Sequence, residues 1–284
     1  MFLYPPHEVQ PVNKVGDDKD DWKSAPWKLT RRGDRLFGRG AYDMKGGLAA
    51  IMCATRDLAA QKKVKVHFVC CCDEESEEDQ NRGSDYIAQE MGYLGDFAIT
   101  GEPTDLQIGV QATGVLLLRI DVHGRSAHGS TPWLGDNAVL KAMDVYRAIQ
   151  SLPFARESSE MFDRPSINLG RVSGGDVPNK VPDHCVIDVD IRFLPGQEAE
   201  SILHEVEAIP DTRVDVIFRR DPVVVPKTNP FVAMLAEAIR DGAAADRISV
   251  GRDGASDITA WLECGVPGVE FGPEGAGHHG PEEW

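Results

Sequence analysis

The chain has 284 residues, 42% hydrophobic and 27% charged, a composition typical of a globular protein with a large core in one or two domains. Its formal net charge of −16 argues against nucleic acid and anionic membrane as partners. No apolar run approaches the roughly 20 residues that span a bilayer, so we expect no membrane-spanning segment.

The chain begins with Met1-Phe2-Leu3-Tyr4, which has the character of a strand end, and a polar surface loop follows it. The last predicted strand, residues 266–271, runs into a loop that stops at Trp284. A chain that starts inside a strand and stops in a loop is expected to be a trimmed form of a longer protein.

A glycine-rich turn at residues 36–47 precedes a helix predicted from about Gly46 to Gln61. Its glycine spacing matches neither a P-loop nor a dinucleotide fingerprint, so a nucleotide-binding protein is disfavoured. Asp43 lies on this turn, where it could cap the helix or bind a cation.

The apolar run Val64–Cys72 predicts a strand buried on both faces. It delivers Asp73, Glu74 and Glu75 at its carboxyl end, where open α/β sheets hold their ligands. Alternatively, these acids begin a solvated loop, since the charge continues through Asp79.

Three adjacent cysteines fall in that predicted strand, a spacing that suits neither a disulfide framework nor a metal-binding pair. We therefore expect buried thiols and a cytoplasmic protein. The six cysteines are Cys53, Cys70, Cys71, Cys72, Cys185 and Cys264.

A helix over about residues 84–91 leads to a second apolar strand, which begins at Asp96 and is followed by Glu102. Two strands of one parallel sheet would then each lead into a carboxylate. Clustered Asp and Glu oxygens predict a site for a hard or borderline cation.

Residues 112–222 change character and predict a βαββαβ unit, the order of a ferredoxin-like domain. We expect it to be inserted into an α/β domain with a mostly parallel sheet flanked by helices. The predicted domains are thus residues 1–111 and 223–284 for the α/β part and 112–222 for the insertion. Within the insertion the predicted strands are 115–122, 166–172, 185–193 and 212–219, and the predicted helices are 136–152 and 198–208.

Five stretches, GRGAYDMKGG, CDEE, TGEPTD, GRSAHGSTPW and HHGPEE, occur in an order that resembles the M20 family of metallopeptidases and deacylases. The resemblance covers nearly the whole chain and sits nearest the acetylornithine deacetylase and succinyl-diaminopimelate desuccinylase group. It implies a zinc-peptidase-like catalytic domain, with the insertion as a lid and dimerisation domain. It also implies a homodimer.

The resemblance implies two zinc ions per chain, for which Co²⁺ could substitute. By position, Asp43 matches the bridging carboxylate, Glu75 a ligand of one zinc and Glu102 a ligand of the other. His279 matches the closing imidazole ligand, and His278 is expected to be a bystander.

Glu74 matches the general base of the family. Zinc can lower the pKa of bound water toward roughly 7, and an unligated carboxylate beside it can move the proton to the leaving amine. Adjacent residues of an extended chain point in opposite directions, so Glu74 and Glu75 can hold different roles.

One position departs from the family pattern. Pro6 stands where the first zinc histidine is expected, and His7 lies one residue later. A one-residue slip turns a side chain to the other face, so either the prolines redirect His7 to the metal or one site is impaired. The alternative to an active enzyme is therefore an impaired relative that binds metal or an amino-acid ligand.

In the insertion, His128 matches a histidine that stabilises the oxyanion in the partner subunit's site, and Asn179 and Arg192 match substrate-holding positions. Arg192 suits a carboxylate, although it could instead pair with Asp188 or Asp190. The function implied is zinc-dependent hydrolysis of the amide bond of an N-acyl amino acid or small peptide with a free carboxylate.

Overall fold

The structure is a computed structural model that describes residues 22–74, 82–243 and 250–284. The chain divides into two compact units. The first unit comprises residues 1–110, 225–250 and 256–284, and the second unit comprises 111–224 and 251–255. Within the described ranges, no helix has both the length and the apolar character needed to cross a membrane.

The first unit begins with a short antiparallel hairpin and then alternates helices with strands. A π-helical turn, Tyr86–Glu90, continues directly from α2, so the two form one helical segment near the predicted 84–91. The elements up to the insertion are β1 Thr30–Arg32, β2 Arg35–Phe37, α1 Gly46–Leu58, α2 Gly83–Asp85, β3 Ala98–Thr100 and β4 Gly109–Ala112.

The second unit contains β5, α3, β6, β7, α4 and β8 in the order βαββαβ, and the short β9 follows them. The four long strands form an antiparallel sheet with the spatial order β6-β7-β5-β8. The bounds are β5 Gly114–His123, α3 Ala138–Ile149, β6 Ser166–Gly174, β7 His184–Phe193, α4 Ala199–Glu207, β8 Thr212–Arg220 and β9 Val223–Val224.

Alternation of apolar residues along β5 and β7 explains why this sheet forms, because every second side chain enters one core. The buried set from the two strands is Leu116, Leu118, Ile120, Val122, Cys185, Ile187, Val189, Ile191 and Phe193. Asn137 caps α3 by accepting hydrogen bonds from the Val139 and Leu140 amides, and the helix then packs Ala138, Ala142 and Ile149 into the same core.

After the insertion the chain continues with α5 Pro230–Ala243, β10 Val250–Arg252, α6 Ile258–Glu263 and β11 Gly268–Glu270. In its sheet, β11 lies between β3 and β4, parallel to β3 and antiparallel to β4, so the sheet is mixed. The parallel register sets Glu270 beside Thr100. Two parallel strands therefore end side by side with an acid at or just after each terminus.

The prediction of a buried strand at Val64–Cys72 is wrong for the described structure. No strand is assigned in this segment, and Val64, Val66 and Phe68 are exposed. A strand forms only where a neighbour accepts and donates its backbone hydrogen bonds, and the sheet order ends at β3 in the described part of the chain. The apolar pattern is therefore present without a partner strand among residues 22–74, 82–243 and 250–284.

The expectation of buried thiols fails for the same reason. Of the six cysteines only Cys185, inside β7, is buried, whereas Cys53, Cys70 and Cys72 are exposed. Cys71 is partly buried, and desolvation, together with the nearby Asp257 carboxylate, raises the pKa of its thiol to about 12. A thiol with that pKa stays protonated and is a poor nucleophile.

Candidate metal centre

Asp43 is the meeting point of two loops of the first unit. It lies on the turn that precedes α1, and its Oδ2 atom faces the loop between β11 and the last described residue. The Nε2 atoms of His278 and His279 donate to this oxygen over 2.5 Å and 2.9 Å. Two imidazoles therefore converge on one carboxylate, although they are more than 230 residues away in sequence.

The donor set of these residues fits a zinc ion. One ligand atom from each of Asp43, His278 and His279 lies within 4.8 Å of the others. Imidazole nitrogen and carboxylate oxygen are both ordinary zinc ligands.

Glu102 extends the site on the side of the sheet. It follows β3, and its pKa is raised to about 10, first by burial and then by the charges of the Asp43, Glu74 and Glu270 carboxylates and by a side-chain hydrogen bond with Asp43. A buried carboxyl group that lies among other carboxylates ionises readily only when a nearby cation offsets its negative charge. A cation bound among these carboxylates would therefore lower the pKa of Glu102.

Glu74 lies at the edge of the same cluster and is partly exposed. Its Oε1 atom is 3.6 Å from Nη1 of Arg82, which is also 3.6 Å from Oδ1 of Asp257. The Glu74 charge contributes to the raised pKa of Glu102, which places the two carboxylates within electrostatic reach.

Glycines let the loops of the site approach each other at backbone distance. A Cβ atom on Gly47, in the first turn of α1, would lie 2.0 Å from the carbonyl oxygen of Gly101. A Cβ atom on Gly272 would lie 2.2 Å from the carbonyl oxygen of Glu102. The segments that carry Asp43, Glu102 and the two histidines therefore pack without intervening side chains.

We expect Gly47→Ala to destabilise the first unit. The added methyl group meets a backbone oxygen that cannot rotate away, so an overpacking cost of about 1–3 kcal/mol should exceed the gain of up to about 1 kcal/mol in helix propensity. Urea unfolding of the metal-free chain measures this. Gly254→Ala is the control, because nothing lies within 4 Å of its added Cβ. Equal stability of the two variants would contradict the close packing.

Of the residues predicted to bind metal, the structure brings Asp43, Glu102 and His279 together. His278, expected to be a bystander, lies as close to Asp43 as His279 does. Glu75 and His7 lie outside the described residues.

In the second unit, His128 and Asn179 lie on neighbouring segments. The Gly129 amide donates to the Asn179 carbonyl over 2.7 Å, and His128 forms an isolated antiparallel bridge with Lys180. Nδ1 of His128 faces Ser130: the Ser130 amide donates to it over 3.2 Å, and the Ser130 hydroxyl lies 2.7 Å from it, which leaves Nε2 for a partner elsewhere. An open cavity of about 510 Å³ lies beside this segment, with Gly129 and Lys180 in its lining.

Arg192 pairs within its own strand. Its Nε and Nη2 atoms donate to the two carboxylate oxygens of Asp190 over 2.9 Å each. This is one of the two pairings that the sequence left open. Asp188 is instead held by Arg119 and Arg171 on adjacent strands.

Two buried acids of the first unit were not singled out from the sequence. Glu270 is the last residue of β11, and the rule that selected Glu102, an acid where a parallel strand ends, would have selected Glu270 as well. Glu283 is almost fully buried and receives hydrogen bonds from the turn that carries Asp43. Its only sequence signal is its place in the HHGPEE stretch.

Comparison with known proteins finds similarity over nearly the whole chain. The sequence profile of peptidase family M20/M25/M40 matches residues 9–284. Acetylornithine deacetylase from Proteus mirabilis is 33% identical over 206 residues, covering 68% of this chain and 52% of the relative. The Vibrio campbellii acetylornithine deacetylase is 32% identical over 219 residues, covering 72% of this chain and 57% of the relative. The chain thus spans about half the length of the curated relatives that it matches.

Solved structures share the fold at lower identity. An M20 family metallo-carboxypeptidase from Sulfolobus solfataricus aligns with a TM-score of 0.71 at 17% identity, covering 97% of this chain and 78% of that one. The aminopeptidase PepT from Bacillus cereus aligns with a TM-score of 0.69 at 22% identity, covering 90% of this chain and 70% of that one.

Proposed function

Because the chain belongs to peptidase family M20/M25/M40, we propose that it hydrolyses the amide bond of an N-acyl amino acid or small peptide with a free carboxylate, using bound zinc. The observation that carries the proposal is the convergence of Asp43, His278 and His279, with Glu102 buried beside them. Carboxylate oxygens and imidazole nitrogens are the ligand atoms that zinc sites use, and a cation would offset the charge of the buried Glu102.

Asp43, Glu102 and His279 would hold the metal, together with Glu75 and His7. His278 joins this set because its Nε2 atom contacts the same Asp43 oxygen. Bound zinc supplies a hydroxide at neutral pH and polarises the amide carbonyl. Two ions, with cobalt as a substitute, are proposed because the family resemblance implies two and because Asp43 and Glu270 add their carboxylate charges to that of Glu102.

Glu74 is proposed as the general base that takes the proton of the attacking water and passes it to the leaving amine. Its partial exposure leaves it accessible to a substrate, and Arg82, 3.6 Å away, holds the carboxylate in place. In the second unit, Nε2 of His128 is the ring atom that would donate to the oxyanion, because Nδ1 faces Ser130, and Asn179 lies on the adjoining segment. Arg192 would exchange Asp190 for the substrate carboxylate.

Within this reaction class, the substrate we propose is an amino acid acylated on its nitrogen, as for a deacetylase. It is supported by relatives named acetylornithine deacetylase at 32–33% identity. A homodimer is proposed with it, because the family resemblance assigns His128 to the site of the partner subunit. The cytoplasmic location also stays a proposal.

A panel of N-acetyl amino acids, N-succinyl amino acids and dipeptides tests the proposal. The zinc-loaded chain should release amine from at least one class, and a chelator should abolish the release. Activity that survives complete removal of metal would refute the proposed chemistry. Stoichiometric zinc binding without hydrolysis of any class would favour the impaired, ligand-binding relative instead.

A further inference from the structure

Glu283 is a buried carboxylate with an unusual number of donors. It is 1% exposed, and it accepts hydrogen bonds from the amides of Gly40, Tyr42 and Asp43 over 2.9–3.0 Å. Nη1 of Arg39 lies 3.4 Å from Oε2 of Glu283 and compensates its charge. Charge-assisted hydrogen bonds of this kind are stronger than neutral ones, and they hold their donors in a fixed geometry.

These donors belong to the turn that presents Asp43. The Asp43 amide itself is one of them, and the Gly38 amide also donates to the backbone carbonyl of Glu283 over 3.1 Å. One residue therefore contacts the turn from Gly38 to Asp43. Glu283 therefore fixes the Asp43 backbone, and the position of the Asp43 carboxylate then depends only on the side-chain rotamer of Asp43.

Glu283 is at the same time part of the loop that presents the histidines. It lies four residues after His279. The Ala276 and Trp284 amides each donate to the other's carbonyl over 3.1 Å, which closes residues 276–284 into a compact loop. Glu283 therefore joins the loop of His278 and His279 to the turn of Asp43.

We propose that Glu283 is a positioning residue that sets the spacing between Asp43 and the two histidines, so that the metal centre is preorganised before metal binds. This inference rests on the proposed function, because it assumes that the cluster binds metal. Outer residues that orient metal ligands typically contribute 10- to 100-fold to metal affinity. A purely structural Glu283 would change the stability of the chain but leave the affinity and geometry of the metal site intact.

The test uses Glu283→Ala and Glu283→Gln in the full chain. Zinc affinity is measured by competition with a chromogenic chelator, and site geometry by the visible absorption spectrum of the Co²⁺-loaded protein. We expect Glu283→Ala to raise the Kd for zinc by about 10- to 100-fold and to alter the Co²⁺ spectrum. Glu283→Gln should have a smaller effect of the same sign, because it keeps an acceptor for the Tyr42 and Asp43 amides.

Glu282→Ala is the matched control. Glu282 is the neighbouring acid, is more exposed, and pairs with Arg32 on β1 rather than with the turn of Asp43. It should leave zinc affinity and the Co²⁺ spectrum unchanged.

The outcomes separate this inference from the proposed function. A parent chain that binds zinc, together with a folded Glu283→Ala variant of equal affinity and spectrum, would overturn the inference alone. A parent chain that binds neither zinc nor cobalt would overturn both. Where Glu283→Ala does not fold, Glu283→Gln decides, and parental affinity and spectrum in that variant would overturn the inference.

Discussion

Glu74→Gln should lower turnover by about 10²- to 10⁴-fold while leaving the zinc content unchanged. The amide that replaces the carboxylate has nearly the same shape but cannot accept a proton at neutral pH. Glu74 is assigned as a base rather than a ligand, so its loss should not release metal. The expected signature is a fall in kcat with little change in KM, measured with any substrate that the panel identifies.

Two controls make this result specific. Glu90→Gln makes the same chemical change at an exposed acid in the turn that follows α2, and it should retain parental turnover. Because Glu74 also pairs with Arg82, thermal unfolding of Glu74→Gln should be compared with the parent. A variant that loses its zinc together with its activity would identify Glu74 as a ligand, and a variant with parental turnover would remove it from the mechanism.

The second unit was predictable from sequence because its signals are local. The strand predicted at 185–193 is β7, His184–Phe193, and the helix predicted at 136–152 contains α3, Ala138–Ile149. Alternation of apolar side chains shows which face of a strand is buried, and Asn137, as the cap residue, marks where α3 begins. Neither signal depends on a distant partner.

The segment Val64–Cys72 shows the limit of the same reasoning. Its composition suits a buried strand, but burial and pairing depend on neighbouring strands that composition does not contain. In the described structure, β3 and β11 are a parallel pair, and Glu102 and Glu270 lie at or just after their ends.

The candidate metal centre was predicted from motif positions, and the structure adds contacts that motif positions do not contain. Motif positions selected Asp43, Glu102 and His279, which lie together. They assigned the ligand role to His279 and treated His278 as a bystander, yet the Nε2 atoms of both rings contact Asp43, because the ring directions depend on the local backbone of the closing loop. Glu283 was missed because a carboxylate that receives backbone amides has no sequence pattern of its own.

Removing the metal should couple the stability of the chain to pH. In the metal-free form Glu102 has a pKa of about 10, so it holds a proton at neutral pH, whereas in the unfolded chain it loses that proton near its ordinary value of 4.5. The folded state then binds more protons than the unfolded state between these values, and stability falls as pH rises. This contribution is complete below pH 4.5 and lost as pH approaches 10. Urea unfolding of the chelated chain from pH 6 to 9 should show the decline.

Zinc binding should release the same proton, because a metal ligand must be ionised. Calorimetric titration at pH 7 in buffers of different ionisation enthalpy should therefore report about one proton from Glu102 per chain. Glu102→Gln removes the titrating group, so it should abolish this release and flatten the pH dependence of the metal-free chain, while also weakening zinc binding. Identical heats in all buffers, or a metal-free parent whose stability does not change from pH 6 to 9, would show that Glu102 is already ionised without metal. The carboxylates around it would then be too far apart, or too well solvated, to require a cation.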